Sequence, residues 1–346
     1  MPTISKLLDY MVKKNGSDLY ISAGNDIFAR IDGDLRCISH NKLSNKDIYD
    51  ILQKISTENK FKEYKETLEA DFSINHGENY RFRVNAFHNN YGPAIVFRII
   101  PNDSMSLKQL DVPESIHDLC TLSKGLVLVV GPTGSGKSTT LAAMINEMNE
   151  KFNHHILTIE DPVEFTFKTK NSLINQRQVG ESTPSFASAL KNALRESPDV
   201  IMVGEMRDVE TTKLALTAAE TGHLVLATLH TMSAAQTINR IIDIFPSSEK
   251  NIARSMLSSS IQAVISQRLL KKKEGGRCAA FEIMIANNSI KNLIREDKIP
   301  QINSAIELGQ KQGMVSMKDS LEILVAKNHI SQEDMDNFML STNSNH

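Results

Sequence analysis

The spacing of apolar positions divides the chain into three regions. Residues 1–101 combine short helical patterns with runs of alternating apolar and polar residues, which predicts a small α+β N-terminal domain. Residues 115–286 alternate continuous apolar runs with amphipathic helical stretches, a pattern typical of a mostly parallel α/β sheet covered by helices. Residues 287–346 are helical only and predict a C-terminal extension. Prolines and small polar residues interrupt the periodicity over 102–114, which predicts an interdomain linker.

Four apolar runs predict the strands of the second region, and a helical pattern follows each of them. These strands are Leu126–Val130, Ile156–Ile159, Val200–Val203 and Leu224–Thr228. The helical patterns lie at about 137–151, 185–195, 208–220 and 233–244. Open α/β sheets bind their ligands at the carboxyl ends of the strands, so the residues that follow these runs are the first candidates for chemistry.

Composition is that of an ordinary globular protein, with 40% hydrophobic and 23% charged residues over 346 positions. The net charge of −2 gives no overall attraction to nucleic acid or to anionic membranes. No stretch approaches the roughly 18 apolar residues of a membrane span, and the N-terminus lacks the apolar core of a signal peptide. We therefore expect a cytoplasmic protein that contacts a membrane only through a partner.

The cysteines give no sign of a metal or disulfide framework. Cys37, Cys120 and Cys278 lie far apart in the sequence and form no C-x-x-C pair. We expect reduced thiols.

The segment Gly131–Ser138, which follows the predicted strand Leu126–Val130, has the spacing G-x-x-x-x-G-K-[ST] of a nucleotide-binding P-loop. A strand before it and a helix after it are the context that this motif requires. Lys137 would reach the β- and γ-phosphates and the Ser138 hydroxyl would bind Mg²⁺, which predicts ATP and Mg²⁺ as cofactors. The predicted nucleotide-binding residues are Gly131, Pro132, Thr133, Gly134, Ser135, Gly136, Lys137, Ser138 and Thr139.

Acidic residues follow the next two strands. Glu160 comes directly after Ile156–Ile159 and Glu164 lies shortly beyond it, where carboxylates can position Mg²⁺ or orient an attacking water. Glu205 follows Val200–Val203 and is suited to accept a proton from that water and to act on Mg²⁺, partly through a bound water. The alternatives are a solvated turn for the first pair and a helix N-terminal acid for Glu205.

Histidines bracket the strand Leu224–Thr228. His230, at its carboxyl end, can face a γ-phosphate and sense its presence. For His223, at its start, a structural role is equally compatible with the sequence.

Arginines in the first region are candidates to complete an ATP site. Alternation along residues 80–84 places Arg81 and Arg83 on the strand face opposite Tyr80, Phe82 and Val84. Hydrolysis needs positive charge on the developing equatorial oxygens, which a second domain could deliver when the domains close. The alternative is that they only make the surface soluble. The candidates are Arg81, Arg83 and Arg98.

Together these segments resemble the secretion-type ATPases of the type II/type IV pilus superfamily and, within it, the twitching-motility retraction ATPases. The segment Arg81–Ala86 resembles their arginine strand. The resemblance implies a PAS-like N-terminal domain, a RecA-like P-loop NTPase domain, a homohexameric ring and ATP bound between the two domains. The resemblance includes the four sequence motifs, or boxes, of this family: Gly131–Ser138 (Walker A), Leu157–Phe165 (Asp box), Val200–Glu205 (Walker B) and Thr221–His230 (His box).

The segment Ser289–Glu296 resembles the retraction signature Ala-Ile-Arg-Asn-Leu-Ile-Arg-Glu, with departures at Ser289 and Lys291. Lysine keeps the charge of arginine but loses its bidentate geometry. From spacing alone the segment is a short amphipathic helix that could serve packing only. The predicted buried positions are Ile290, Leu293 and Ile294, and the predicted exposed positions are Lys291, Arg295 and Glu296.

The resemblance implies an ATPase that drives pilus retraction through an inner-membrane platform protein, at the cytoplasmic face of that membrane. Three alternatives stay open: an accessory retraction ATPase acting beside a paralogous motor, a nucleic-acid motor, and a nucleotide-gated subunit without useful turnover. The chain has no tryptophan, which does not favour a nucleic-acid channel lined with aromatic residues. Glu160 and Glu205 are the acids that a non-hydrolysing subunit would be expected to lack.

Overall fold

Two compact units make up the chain. The computed structural model describes residues 4–31, 33–77, 80–100 and 105–343. The units are Met1–Asp103 with Pro162–Thr166, and Ser104–Asp161 with Phe167–His346. The predicted boundary at residue 101 and the first residues of the predicted linker, 102–104, lie outside the described residues. The division into three regions and a linker therefore stays a prediction.

The first unit is an α+β structure. In its described part, six antiparallel strands form one sheet in the order β3-β2-β1-β6-β5-β4. The helices are α1 (Ile4–Lys13), α2 (Asn45–Ile55) and α3 (Glu58–Thr67). The strands are β1 (Asp18–Ser22), β2 (Ile27–Ile31), β3 (Asp34–Ser39), β4 (Glu69–His76), β5 (Tyr80–Asn89) and β6 (Gly92–Ile100).

Local sequence explains most of these elements. Ser44 and Asp47 form a reciprocal capping box that starts α2. Phe82 and Val84 are fully buried, as the alternation along β5 predicts. A turn at Gly33, whose φ is 87°, joins β2 and β3 into a hairpin.

The second unit is built on a mostly parallel sheet, as predicted. Across its described residues, seven strands lie in the order β13-β12-β7-β11-β10-β8-β9, and the β12–β13 pair is antiparallel. The strands are β7 (Gly125–Val130), β8 (His155–Glu160), β9 (Leu173–Gln178), β10 (Val200–Val203), β11 (Leu224–Leu229), β12 (Ile261–Lys271) and β13 (Arg277–Ile285).

Helices cover this sheet. They are α4 (Glu114–Leu119), α5 (Lys137–Lys151), α6 (Phe186–Ala193), α7 (Val209–Glu220), α8 (Ala234–Ile244), α9 (Lys250–Ser260), α10 (Asn288–Arg295), α11 (Ile302–Leu308), α12 (Met317–Ala326) and α13 (Gln332–Asn343). Every residue of β7, β10 and β11 is buried, because helices pack against both faces of the sheet. Among the described helices, none combines the length and the apolar character needed to cross a membrane.

Apolar side chains of β7 pack in the hydrophobic cores on both faces of the sheet. Leu126 and Leu128 pack in one cluster, and Val127 and Val129 pack in the other. The first cluster also holds residues of α10. The sheet and the C-terminal helical region therefore share one hydrophobic core.

Candidate nucleotide-binding site

The loop between β7 and α5 has a backbone that favours glycine at three positions. The φ angles of Gly131, Gly134 and Gly136 are 148°, 79° and 88°. A Cβ atom on Gly131 would lie 2.4 Å from the backbone oxygen of Gln267, so the loop passes too close to β12 for any side chain there. Gly136 is the N-cap of α5, and Lys137 is its first residue.

The donors of this loop fit a phosphate group. The Ser135 hydroxyl is buried and has no hydrogen-bond partner among the described residues. In the same described part, no side chain caps the N-terminus of α5, where about half a positive charge accumulates. Buried donors without acceptors are costly, and phosphate oxygens at a helix N-terminus would supply those acceptors.

Lys137 is held at this loop by main-chain carbonyls. Its Nζ donates to the oxygens of Gly131 at 2.8 Å and Pro132 at 3.0 Å. The side chain is only 8% exposed, so its charge acts in a partly desolvated setting. Ser138 and Thr139, the next residues of α5, are half-buried. The loop thus presents the predicted ammonium and hydroxyl groups together.

A line of contacts joins the loop to the ends of β11 and β10. Lys137 Nζ lies 3.5 Å from His230 Nδ1, and His230 Nε2 lies 3.4 Å from an oxygen of Glu205. The structure thus brings together predicted residues from the Walker A, His and Walker B boxes. The parallel order β7-β11-β10 causes this, because it places the carboxyl ends of these strands side by side.

The charges around Glu205 keep it ionised. Burial acts to raise its pKa, but a hydrogen bond from Arg207 at 2.7 Å and the positive charges of Arg207, His230 and Lys137 lower it below its usual value. The N-terminus of α7 is capped by the side chain of Asp208. The alternative role of Glu205 as a helix N-terminal acid is therefore wrong.

Glu160 ends β8 at the same edge of the sheet. Its side chain is buried and accepts hydrogen bonds from Thr158 Oγ1 at 2.7 Å and Gln176 Nε2 at 3.2 Å. A Cβ atom on Gly204 would lie 3.4 Å from the Cα of Glu160, so β8 and β10 meet closely there. Glu164 falls within Pro162–Thr166, which group with the first unit.

The predicted arginines lie on neighbouring strands of the first unit. Arg83 on β5 pairs in register with Arg98 on β6. Arg83 Nε donates to Asp71 at 3.1 Å, and Arg98 Nε donates to the buried Asp18 at 2.7 Å. Both guanidinium groups thus have a carboxylate partner in their own unit. Arg81 pairs in register with Ile100 at the end of the same two strands.

The remaining candidates lie away from the phosphate-binding loop. His223 precedes β11 at the end opposite His230, with Nδ1 3.1 Å from the carbonyl oxygen of Ala218. In α10, Ile290 and Ile294 are fully buried and Leu293 is partly buried against the same core. The helix begins at Asn287, whose side chain accepts from the Ile290 N–H. Arg295 and Glu296 are exposed, as predicted, and Lys291 is half-buried.

Sequence reasoning missed two contacts of this site. Arg207 binds Glu205 across the turn after β10, and Gln267 reaches the loop from β12. A basic residue two positions after Glu205 was a detectable signal. Nothing in the spacing marks Gln267, because the loop and helix residues that it contacts here lie more than a hundred positions away in the chain.

Asp26, Cys37 and His40 form a separate polar cluster in the first unit. Their ligand atoms lie within 4.8 Å of one another, although sequence spacing gave no indication of a metal site. His40 Nδ1 lies 2.9 Å from an oxygen of Asp26, and this polar contact at the surface accounts for the closeness of these two side chains.

Comparison with known proteins identifies the family of the chain. A model of the family described as "Type II/IV secretion system protein" matches residues 1–340. The chain belongs to this family. The type IV pilus retraction ATPase PilT of Pseudomonas aeruginosa is 52% identical over 331 residues, which are 96% of each chain. A twitching motility protein of Neisseria gonorrhoeae is 54% identical over 305 residues, or 88% of this chain and 82% of that one.

A crystal structure described as the pilus retraction motor PilT with bound ADP aligns with a TM-score of 0.89 and 42% identity, covering 97% of this chain and 96% of that one. Membership of the family and the α/β fold, both predicted from the sequence, are thereby confirmed. The assignment of the second unit as the RecA-like NTPase domain stays a prediction. The assignment of individual catalytic residues stays a prediction.

Proposed function

We propose that this chain is a hexameric ATPase motor that hydrolyses ATP to power retraction and disassembly of type IV pili. One observation carries the proposal: Lys137, His230 and Glu205 form a continuous line of contacts at a phosphate-binding loop. The chain has this arrangement in a family whose member at 52% identity is a pilus retraction ATPase.

In this proposal, the loop and Lys137 bind the β- and γ-phosphates of ATP. The Ser138 hydroxyl and, partly through water, Glu205 would hold Mg²⁺, which neutralises charge on the phosphates. Glu205 takes a proton from the attacking water, and Glu160 or Glu164 helps to position it. His230 responds to the γ-phosphate. Positive charge from the first unit completes the site, and its sources are Arg81, Arg83 and Arg98.

The proposed work cycle uses domain closure. ATP draws the two units of a protomer together, and hydrolysis releases them, which turns phosphate charge into rigid-body rotation. The ring passes this motion to an inner-membrane platform protein of the pilus, at the cytoplasmic face of that membrane. The exposed residues of α10, among them Arg295 and Glu296, are the proposed contact surface. A paralogous retraction ATPase is a further proposed partner.

The test is gene deletion with complementation by the wild type, Lys137→Ala and Glu205→Gln. We expect the deletion and both variants to abolish twitching and to leave excess surface pili. A deletion strain without pili would assign the chain to extension instead. Wild-type twitching with Glu205→Gln would contradict the proposed mechanism.

A phosphate-release assay on the purified chain, with Lys137→Ala as the control, separates a motor from a nucleotide-gated subunit. Release at the level of that control contradicts hydrolysis. Strong stimulation by single-stranded DNA would favour a nucleic-acid motor.

A further inference from the structure

Strand β12 runs beside the phosphate-binding loop. It pairs in parallel with β7, with Ile265 opposite Val129 and Ser266 opposite Val130, the last residue of β7. The next residue of β12, Gln267, therefore lies at the point where the chain leaves the sheet to form the loop. The loop is flanked on this side by β12, just as β11 flanks it on the side of His230.

Gln267 contacts the loop with its backbone and its side chain. The residue is 3% exposed. Its backbone oxygen lies 2.4 Å from where a Cβ on Gly131 would be, and its Nε2 lies 2.9 Å from where a Cβ on Gly136 would be. Gln267 thus touches the loop where it begins and where it turns into α5.

A buried hydrogen bond fixes the orientation of the Gln267 amide. Its Oε1 accepts from Thr140 Oγ1 at 2.7 Å. Thr140 is 1% exposed and lies in the first turn of α5. With Oε1 held by Thr140, the amide nitrogen must face Gly136, so the bond sets which end of the amide lies against the loop.

We infer that Gln267 and Thr140 act as a pair of positioning residues for the phosphate-binding loop. They hold the N-terminus of α5 and the glycine turns in the geometry that directs backbone N–H groups at phosphate oxygens. The inference rests on the nucleotide binding proposed above. Preorganised donors bind an anion without a cost for ordering, so loss of the pair weakens nucleotide binding.

The test measures equilibrium binding of ADP with Mg²⁺ to the purified full-length chain by calorimetry. We expect Gln267→Leu and Thr140→Val each to raise the Kd by about tenfold, as for the loss of one buried hydrogen bond. We expect the Kd of the double variant also to rise by only about tenfold, because the two residues act through one contact. Thr140→Ser keeps the hydroxyl, and we expect its Kd to stay within about twofold of the wild type.

Ser320→Ala is the matched control for a loss of stability. Ser320 Oγ accepts a buried hydrogen bond from the Phe281 N–H between α12 and β13, and it has no role in the proposed site. Thermal unfolding in the absence of nucleotide ranks all the variants by their stability. We expect Ser320→Ala to lose stability but to keep the Kd of the wild type. Thr140→Val preserves side-chain volume, so it carries the test if Gln267→Leu does not fold.

The outcomes separate the two claims. If the wild type does not bind ADP, or Lys137→Ala binds it equally well, the proposed function fails. If both behave as expected but Gln267→Leu and Thr140→Val bind ADP like Ser320→Ala, only the positioning role is overturned. Losses that multiply to about a hundredfold in the double variant would also overturn the paired action.

Discussion

His230 Nε2 lies 3.4 Å from Oε1 of Glu205, on the side of the ring opposite the nitrogen that faces Lys137. The Lys137 ammonium is only a donor, so in the neutral form of the His230 ring Nδ1 would accept from it and Nε2 would carry the proton, directed at Glu205. The imidazole therefore connects the residue that would bind the γ-phosphate with the residue that would activate water.

Replacing His230 should affect turnover more than nucleotide binding. We expect His230→Ala to lower kcat by about a hundredfold, since it disconnects Glu205 from Lys137, and to leave the Kd for ADP within about threefold. The matched control is His223→Ala at the other end of β11, for which we expect wild-type turnover. Steady-state phosphate release and calorimetry measure both quantities, and equal losses in both variants would contradict the prediction.

Removing Arg207 should move the pH dependence of hydrolysis. The Arg207 hydrogen bond and charge hold the pKa of Glu205 below its usual value, against the effect of burial. In Arg207→Gln that pKa rises, so Glu205 is protonated at higher pH than in the wild type. If Glu205 is the general base, the acid limb of the kcat profile shifts to higher pH. An unshifted acid limb would show that another group controls it.

The glycines of the loop should differ in their tolerance of alanine. A Cβ on Gly131 would lie 2.4 Å from a backbone oxygen of Gln267, whereas one on Gly134 would have no described atom within 4 Å. Gly134→Ala costs only the strain of a positive φ, about 1 kcal/mol. We expect Gly131→Ala to lose about 2 kcal/mol more in stability and most of its affinity for ADP. Urea unfolding and calorimetry test this order, which equal losses would refute.

Glu282 should make the protein less stable as the pH rises. Burial raises its pKa, although a hydrogen bond from the Ala234 N–H and the charge of Arg268 oppose this effect. Between the usual and the raised pKa the unfolded chain has lost the proton that the folded chain retains, so stability falls as the pH rises through that interval.

Glu282→Gln keeps an oxygen acceptor for Ala234 but does not titrate. We therefore expect this variant to gain stability relative to the wild type as the pH is raised from 5 to 8. Urea midpoints at several pH values measure the difference. A difference that is independent of pH would contradict the prediction.

Substitutions on the buried face of α10 should reduce stability, whereas substitutions on its exposed face should affect retraction. Ile290 is fully buried, so Ile290→Ala should cost about 2–5 kcal/mol. Arg295 is exposed, and we expect Arg295→Glu to change stability by less than about 0.5 kcal/mol and to leave ATP hydrolysis intact while it abolishes twitching. Normal twitching in that strain would argue against the proposed contact surface.

The parts of the fold that the sequence predicts are those whose determinants are local. The run Leu126–Val130 is apolar throughout because both faces of β7 are buried, and the glycine spacing after it marks the loop. Strand β9 (Leu173–Gln178) was not predicted because it lies at the edge of the sheet and is largely polar. Strands β12 and β13 and helix α9 were also absent from the predicted elements.

In the candidate site, too, the residues that the sequence predicts are those whose positions depend on local sequence. Lys137, Glu205 and His230 each end or follow an apolar run, so their positions could be inferred one strand at a time. The contact of Gln267 with Gly131 depends on β12 returning beside β7, which is a matter of topology. Arg207 depends on the path of one turn. Spacing in the sequence does not specify the contact of Gln267, and it marks Arg207 only as a basic residue close to Glu205.

The core shared by α10 and the central sheet has a mechanical consequence. Ile290 and Ile294 pack in the same cluster as Leu126 of β7 and Val203 of β10, the strands that carry the phosphate-binding loop and Glu205. Close-packed interiors are nearly incompressible. Helix α10 and the edge of the sheet that holds the proposed site therefore belong to one stiff core, so a load applied to Arg295 would reach that site through packed side chains.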